Sequence, residues 1–199
     1  MIKIGITGNI GSGKTVVSKV FKVLGVPVYN ADIESKKILS NNQTLLLELV
    51  KVFGDKILDE NKKVDKIKFA EIIFNDKNKL KLANKIIHPF VISDFKQWVI
   101  KHKYYNLAIL ESAILYESKN DKQVDKIIVV TAPLELKISR IMKRDNFDKD
   151  EINSRMQNQL NEEELVKRAD YTIINDEKTP VIPQILKIYK ELVKNEEIW

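Results

Sequence analysis

Lys3-Ile4-Gly5-Ile6-Thr7-Gly8-Asn9-Ile10-Gly11-Ser12-Gly13-Lys14-Thr15 decides how the rest of the chain is read. Residues 3–7 form a short apolar run with little alternation, as expected of a strand buried on both faces. Residues 8–15 satisfy the full G-x-x-x-x-G-K-[ST] pattern, and an amphipathic segment, residues 14–24, follows and stops at Gly25. A phosphate-binding loop needs each of these parts. Gly8, Gly11 and Gly13 let backbone amides, Ser12's included, approach phosphate oxygens without a side chain in the way. The helix opening at Lys14, Thr15 and Val16 aims its N-terminal amides and positive dipole end at the same anion. Lys14 brings a charge to the β and γ phosphates of ATP, and the Thr15 hydroxyl is placed to ligate Mg²⁺. The bland alternative is a glycine-rich turn, which the strand-loop-helix setting disfavours.

Four further runs read as strands: residues 26–29, 107–110, 127–131 and 171–174. Helical patterns lie between them, one opened by Pro133 and running to about Arg144, the last opened by Pro183. Strands alternating with helices predict an α/β fold, a five-stranded parallel sheet flanked by helices. Residues 1–31, 102–145 and 162–199 form its nucleotide-binding core. Residues 32–101 break the alternation with helical periodicity (Leu45, Leu46, Leu49, Val50, Phe53; Phe69, Ile72, Ile73; Leu80, Ala83, Ile86, Ile87) and read as a helical insertion. A proline disfavours helical geometry in the residue before it, so a helix stop is expected at His88, ahead of Pro89. Residues 146–161 are polar and highly charged and form a second, smaller insertion.

The 199 residues suffice for one such domain, and 44% apolar with 31% charged residues is a globular balance. No apolar run is long enough for a membrane helix. No signal-peptide layout precedes the first strand. With no cysteine, disulfides and thiolate metal sites are excluded, which suits a cytoplasmic protein. The formal charge of +6 raises the question of nucleic acid. The lysines are dispersed among acids, so a solvated surface, or a pocket for a polyanionic small substrate, is the simpler reading. Oligomeric state is not encoded in any motif.

GTPases carry an Asp-x-x-Gly element, and no glycine here has an aspartate three residues before it. A small-molecule kinase fits the length better. Such an enzyme needs a base for its acceptor hydroxyl, and Asp32, just beyond the strand at 26–29, lies at the sheet's carboxyl edge. Asp32 reads equally as the N-cap of a helix beginning near Ile33. Glu111 ends the strand at 107–110, where an acid commonly holds a Mg²⁺-bound water; a solvated strand-end carboxylate is the alternative. Arg140 and Arg144, four apart, share a helix face.

In order along the sequence, L-G-V-P-V-Y-N-A-D (residues 24–32), F-A-E-I-I-F-N-D (69–76), I-I-H-P (86–89), E-S-A-I-L-Y-E (111–117), R-I-M-K-R-D (140–145), R-M-Q-N-Q (155–159) and A-D-Y-T-I-I-N (169–175) join the phosphate loop. Together this set resembles the dephospho-coenzyme A kinase family over nearly the whole chain. The resemblance implies phosphorylation of the ribose 3′-hydroxyl of dephospho-CoA by ATP with Mg²⁺. It implies Asp32 as base, the insertion as holder of the CoA precursor, residues 146–161 as a lid, and Arg140 and Arg144 facing nucleotide phosphates. Asn175 would lie near adenine, and His88 and Glu111 on the substrate side. Departures from the family pattern are Asn9 for a usual glycine, Asn30 for a first acid, Ala113-Ile114 for Pro-Leu, Lys36 for histidine, Lys137 for glutamine and Leu165 for lysine. Two other readings stand beside this one: a P-loop kinase of nucleosides or nucleotides, and a non-catalytic nucleotide-binding regulator.

Overall fold

The computed structural model describes residues 1–145, 152 and 156–194. The protein divides into two compact units, one of residues 1–30 with 99–199, the other of residues 31–98.

The first unit is built on five strands: β1 (Ile2–Thr7), β2 (Val28–Asn30), β3 (Leu107–Glu111), β4 (Lys126–Thr131) and β5 (Tyr171–Ile174). All pair in parallel, in the order β2-β3-β1-β4-β5. β1 is central, with β3 on one side and β4 on the other. The strand order therefore reverses at β1, and the crevice beyond its carboxyl end is the place where such sheets bind ligands. β2 begins later than its apolar run, because Pro27 has no N–H to give a ladder; its carbonyl still accepts from Ile109 N at 2.9 Å.

Helices cover both faces. On one, Ile4, Ile6, Leu107, Ile109, Ile128, Val130 and Ile173 pack with Val17 and Phe21 of α1 (Lys14–Val23) and Ile185, Ile188 and Leu192 of the C-terminal helix Val181–Lys194. On the other, Val129 packs with Tyr116 and with Leu165 of the helix Glu162–Arg168. Gly25 (φ 85°) ends α1, its N–H on the Lys22 carbonyl at 3.1 Å. The last helix starts at Val181, so Pro183 stands inside its first turn, where its missing N–H costs nothing.

The second unit is helical: α2 (Ala31–Asn41), α3 (Gln43–Phe53), α4 (Lys66–Phe74) and α5 (Lys77–Lys101), whose last residues belong to the first unit. Asn42 caps α3, accepting from Leu45 N, and Asp65 caps α4, accepting from Ile67 N and Lys68 N. Phe53 and Phe69 meet edge to face, 5.4 Å between ring centroids.

The expected stop at His88 is not there. α5 runs through Pro89 for 25 residues. Ala83, Ile87, Val91 and Phe95, each four residues on from the last, are all buried, so one continuous apolar face spans the proline. Burial of those side chains at about 1.5–3 kcal/mol each for the larger ones exceeds the roughly 3 kcal/mol that an interior proline costs.

The remaining helices of the first unit are α6 (Leu134–Asp145), α7 (Glu162–Arg168) and α8 (Val181–Lys194). Pro133 precedes α6, its carbonyl accepting from Lys137 N at 3.0 Å. The expected lid at 146–161 falls for the most part outside the described residues. None of the described helices is long and apolar enough to cross a membrane.

Candidate active site

β1 delivers Gly8 to the crevice, and the loop closes on α1 at Lys14. At two of its glycines the loop has no room for a side chain. A Cβ on Gly11 (φ 81°) would stand 2.6 Å from the Lys137 carbonyl oxygen, so the loop presses against the backbone of α6. A Cβ on Gly13 (φ 96°) would collide with the amide of Asn175, which donates from Nδ2 to the Ser12 carbonyl at 2.8 Å. Ser12 is fully buried and its hydroxyl has no hydrogen-bond partner among the described residues.

Beside the loop lies a cavity of about 290 Å³. Gly11, Gly13, Lys14, Thr15 and Val16 line one side, Arg140 and Arg144 of α6 the other, with Lys19 and Ile141 completing it. Four of these residues are basic and none is acidic, so the cavity draws anions. Lys14 is nearly buried, with Nζ 3.4 Å from the Asn9 carbonyl oxygen. Arg140 donates from Nη1 to the Gly11 carbonyl at 3.4 Å, and from Nη2 to the Asn175 carbonyl at 3.2 Å and the Glu177 carboxylate at 3.0 Å. The guanidinium is thus aimed by the phosphate loop and by the loop after β5.

Thr15 Oγ1 donates to Glu111 Oε1 at 2.6 Å. Glu111 is 3% exposed and closes β3, in register with Ile6 of β1 and Asn30 of β2. A hydroxyl and a carboxylate oxygen this close, beside a phosphate-binding loop, match the sparse protein ligand set of Mg²⁺, which keeps most of its shell for phosphate and water. No group of three or more acidic, histidine or cysteine side chains suited to a metal occurs among the described residues.

Gly8, Gly11, Ser12, Gly13, Lys14, Thr15, Val16, Glu111, Arg140 and Asn175 therefore belong to one unit and gather at the carboxyl end of β1. Asp32 and His88 belong to the other. α2 starts at Ala31, not near Ile33, so Asp32 is an exposed first-turn acid and not the N-cap. His88 is half-buried on α5, and burial pulls its imidazole below the ordinary histidine value.

Three contacts near the loop were not foreseen in the sequence, although residues 159 and 160 fall within the stretch expected to be a lid. Lys137 Nζ, nearly buried, pairs with Glu162 Oε2 at 2.7 Å. Gln159 and Leu160 bond to the loop's crest, Ile10 N to Gln159 Oε1 at 2.9 Å and Asn9 Nδ2 to the Leu160 carbonyl at 3.0 Å. Asn9, a departure from the family's glycine, is used here as a donor. No spacing rule links residues 25 or 150 apart. The only hint in the sequence was the R-M-Q-N-Q run.

The family model described as dephospho-CoA kinase matches residues 2–180. The dephospho-CoA kinase of Bacteroides fragilis strain YCH46 is 42% identical over 187 residues, 94% of this protein and 91% of that one. Among solved structures, TT1252 from Thermus thermophilus aligns with a TM-score of 0.80 at 28% identity, over 98% of this protein and 97% of that one. The dephospho-CoA kinase from Campylobacter jejuni aligns with a TM-score of 0.70 at 28% identity, over 98% of each. A match that extends from the first strand past the loop after β5 takes in both units and every motif from the phosphate loop to Asn175, and on that ground the chain belongs to the dephospho-CoA kinase family.

Proposed function

We propose that the protein transfers the γ-phosphoryl group of ATP to the ribose 3′-hydroxyl of dephospho-CoA, giving CoA and ADP, the last step of CoA synthesis. The observation that carries this reading is the anion-drawing cavity, where the phosphate loop faces Arg140, in a member of this family. The family supplies the acceptor; the cavity supplies the donor's site.

Each residue has a task. Amides of the loop, from Gly11 to Val16, cradle the β and γ phosphates at the start of α1. Lys14 and Arg140 take up negative charge that shifts during transfer, and both are held by protein contacts beforehand, so little reorganisation is needed. Asn175, bonded to Ser12 and adjoining Arg140, closes the nucleotide side next to adenine. Thr15 and Glu111 would hold Mg²⁺, which when bound offsets phosphate charge, Glu111 acting through a water. The second unit takes the CoA precursor, with His88 on the substrate side. Asp32 accepts the 3′-hydroxyl proton as that oxygen bonds to the γ phosphorus and the bond to the β–γ bridging oxygen breaks.

The test is a panel assay. Purified protein with Mg-ATP is offered dephospho-CoA, adenosine, a nucleoside monophosphate and pantothenate, and products are identified by mass and position of the new phosphate. Dephospho-CoA should react fastest and only at the 3′-hydroxyl. Faster turnover of the nucleoside monophosphate would overturn the assignment.

A further inference from the structure

Gln159 bridges two loops that carry the proposed chemistry. Its Oε1 accepts from Ile10 N at 2.9 Å, on the crest of the phosphate loop. Its Nε2 donates to the Ala113 carbonyl at 2.8 Å, two residues beyond Glu111. The neighbouring residue repeats the pattern: the Leu160 carbonyl accepts from Asn9 Nδ2 at 3.0 Å, and Leu160 N donates to Glu117 Oε1 at 2.8 Å. Residues 159 and 160 thus make two bonds to the phosphate loop and two to the segment after β3.

The chemistry of this bridge selects a primary amide. One partner is a backbone N–H and the other a backbone carbonyl, so the bridging group must accept at one end and donate at the other. A carboxylate of the same length would set an oxygen against the Ala113 carbonyl. An aliphatic group would leave two backbone groups unpaired in a half-buried setting. The same two loops are also joined by Thr15 Oγ1 and Glu111 Oε1. Those are the oxygens proposed to hold the cation, whereas the Gln159 bridge uses backbone groups and is independent of it.

We infer that Gln159 is a positioning residue for phosphoryl transfer. Its side-chain amide sets the spacing between the crest of the phosphate loop and the strand end bearing Glu111. In this way it fixes where the loop amides stand relative to that carboxylate. The inference rests on the reading of residues 8–15 as the ATP site. A residue that serves packing alone would act through overall stability. A residue that holds two loops in register acts on kcat and on nucleotide affinity at constant stability.

The experiment uses the full-length protein with Gln159→Glu and Gln159→Leu. Four quantities are read: kcat and KM for dephospho-CoA, ADP affinity by calorimetry without Mg²⁺, thermal midpoint, and deuterium uptake of the peptide containing Ile10. Gln159→Leu should lower kcat about 10- to 100-fold, of the order that misplacement near 1 Å produces. It should also weaken ADP binding and speed exchange at Ile10, with KM for dephospho-CoA unchanged. Gln159→Glu, close in shape and able to fold as the parent does, should keep Ile10 protected yet still lose turnover. Parental kcat in both variants would overturn the inference. So would a loss of turnover that follows the thermal midpoint with no change at Ile10. If the parent failed to phosphorylate dephospho-CoA, the acceptor assignment would fall, while weaker ADP binding and faster Ile10 exchange in Gln159→Leu would still support the positioning role.

Discussion

The Lys137–Glu162 pair should respond very unequally to loss of one partner or the other. The Lys137 side chain is 7% exposed and that of Glu162 is 30% exposed, with 2.7 Å between Nζ and Oε2. Glu162→Gln removes the charge paired with Lys137 and leaves a nearly buried ammonium without it. Breaking a buried pair in this way costs about 3–5 kcal/mol, and since glutamine still accepts a hydrogen bond we take about 3 kcal/mol. Lys137→Met leaves the carboxylate of Glu162, which is 30% exposed and stands in the first turn of α7 at the positive end of the helix dipole, so the loss is about 1 kcal/mol. For a protein of this length these figures correspond to thermal midpoints lower by roughly 6–12 °C and 2–4 °C. The double variant removes both charges and should lie near Lys137→Met. Thermal unfolding of the four proteins by circular dichroism measures all of this, and a double-mutant cycle gives the coupling. Should Lys137→Met melt as low as Glu162→Gln, or the double variant no higher than Glu162→Gln, unequal burial does not govern this pair.

Lys14→Ala should reduce turnover by about two to three orders of magnitude, the worth of one such charge contact at about 3–4 kcal/mol, while the thermal midpoint stays near the parent's; near-parental kcat would remove the loop from the chemistry. Asp32→Asn keeps the shape of an exposed first-turn residue and removes the proton acceptor, so single-turnover transfer to dephospho-CoA should fall about two to four orders with ATP affinity little changed. A parental transfer rate would exclude Asp32 as base and direct attention to Glu111. Partial burial pushes the Asp170 carboxyl up, but the Lys126 ammonium and the Ile127 N–H outweigh it and hold the group below its ordinary 3.8. A depressed folded value means stabilisation present above the ordinary value and lost as pH falls through the folded one, so Asp170→Asn should lose less stability than the parent below about pH 4. Parallel melting curves across that range would count against it.

The phosphate loop and the sheet were legible because both depend on local sequence. Parallel strands covered on two faces need near-continuous apolar runs, and Ile4, Ile109 and Ile128 are where those runs place them. The loop is defined by glycine spacing and by one lysine. Where sequence reasoning erred, a local rule gave way to packing. Pro89 predicts a stop, and the face of Ala83, Ile87, Val91 and Phe95 carries the helix past it. Asp32 falls inside α2 because the helix begins directly at the end of β2. Lys137 and Gln159 were not legible as parts of the site, since their partners are set by the approach of α6 and of residues 159–162 to the loop, and that approach has no periodicity to read.

The strand order has a bearing on synthesis as well as on binding. β1 is made first but lies at the centre of the sheet, and its neighbours are β3 and β4. Ile2 pairs with Leu107, so the first strand has no partner until roughly a hundred further residues have been translated, about 5–20 s at bacterial to eukaryotic elongation rates. During that interval Ile4 and Ile6, fully buried at the end, are apolar residues without a sheet to enter. The helical segment 31–98 is by contrast a contiguous stretch complete before β3 appears. The helical segment is thus fully translated while β1 still lacks both of its neighbours, and the phosphate loop that β1 delivers has no sheet to stand on until β3 and β4 follow.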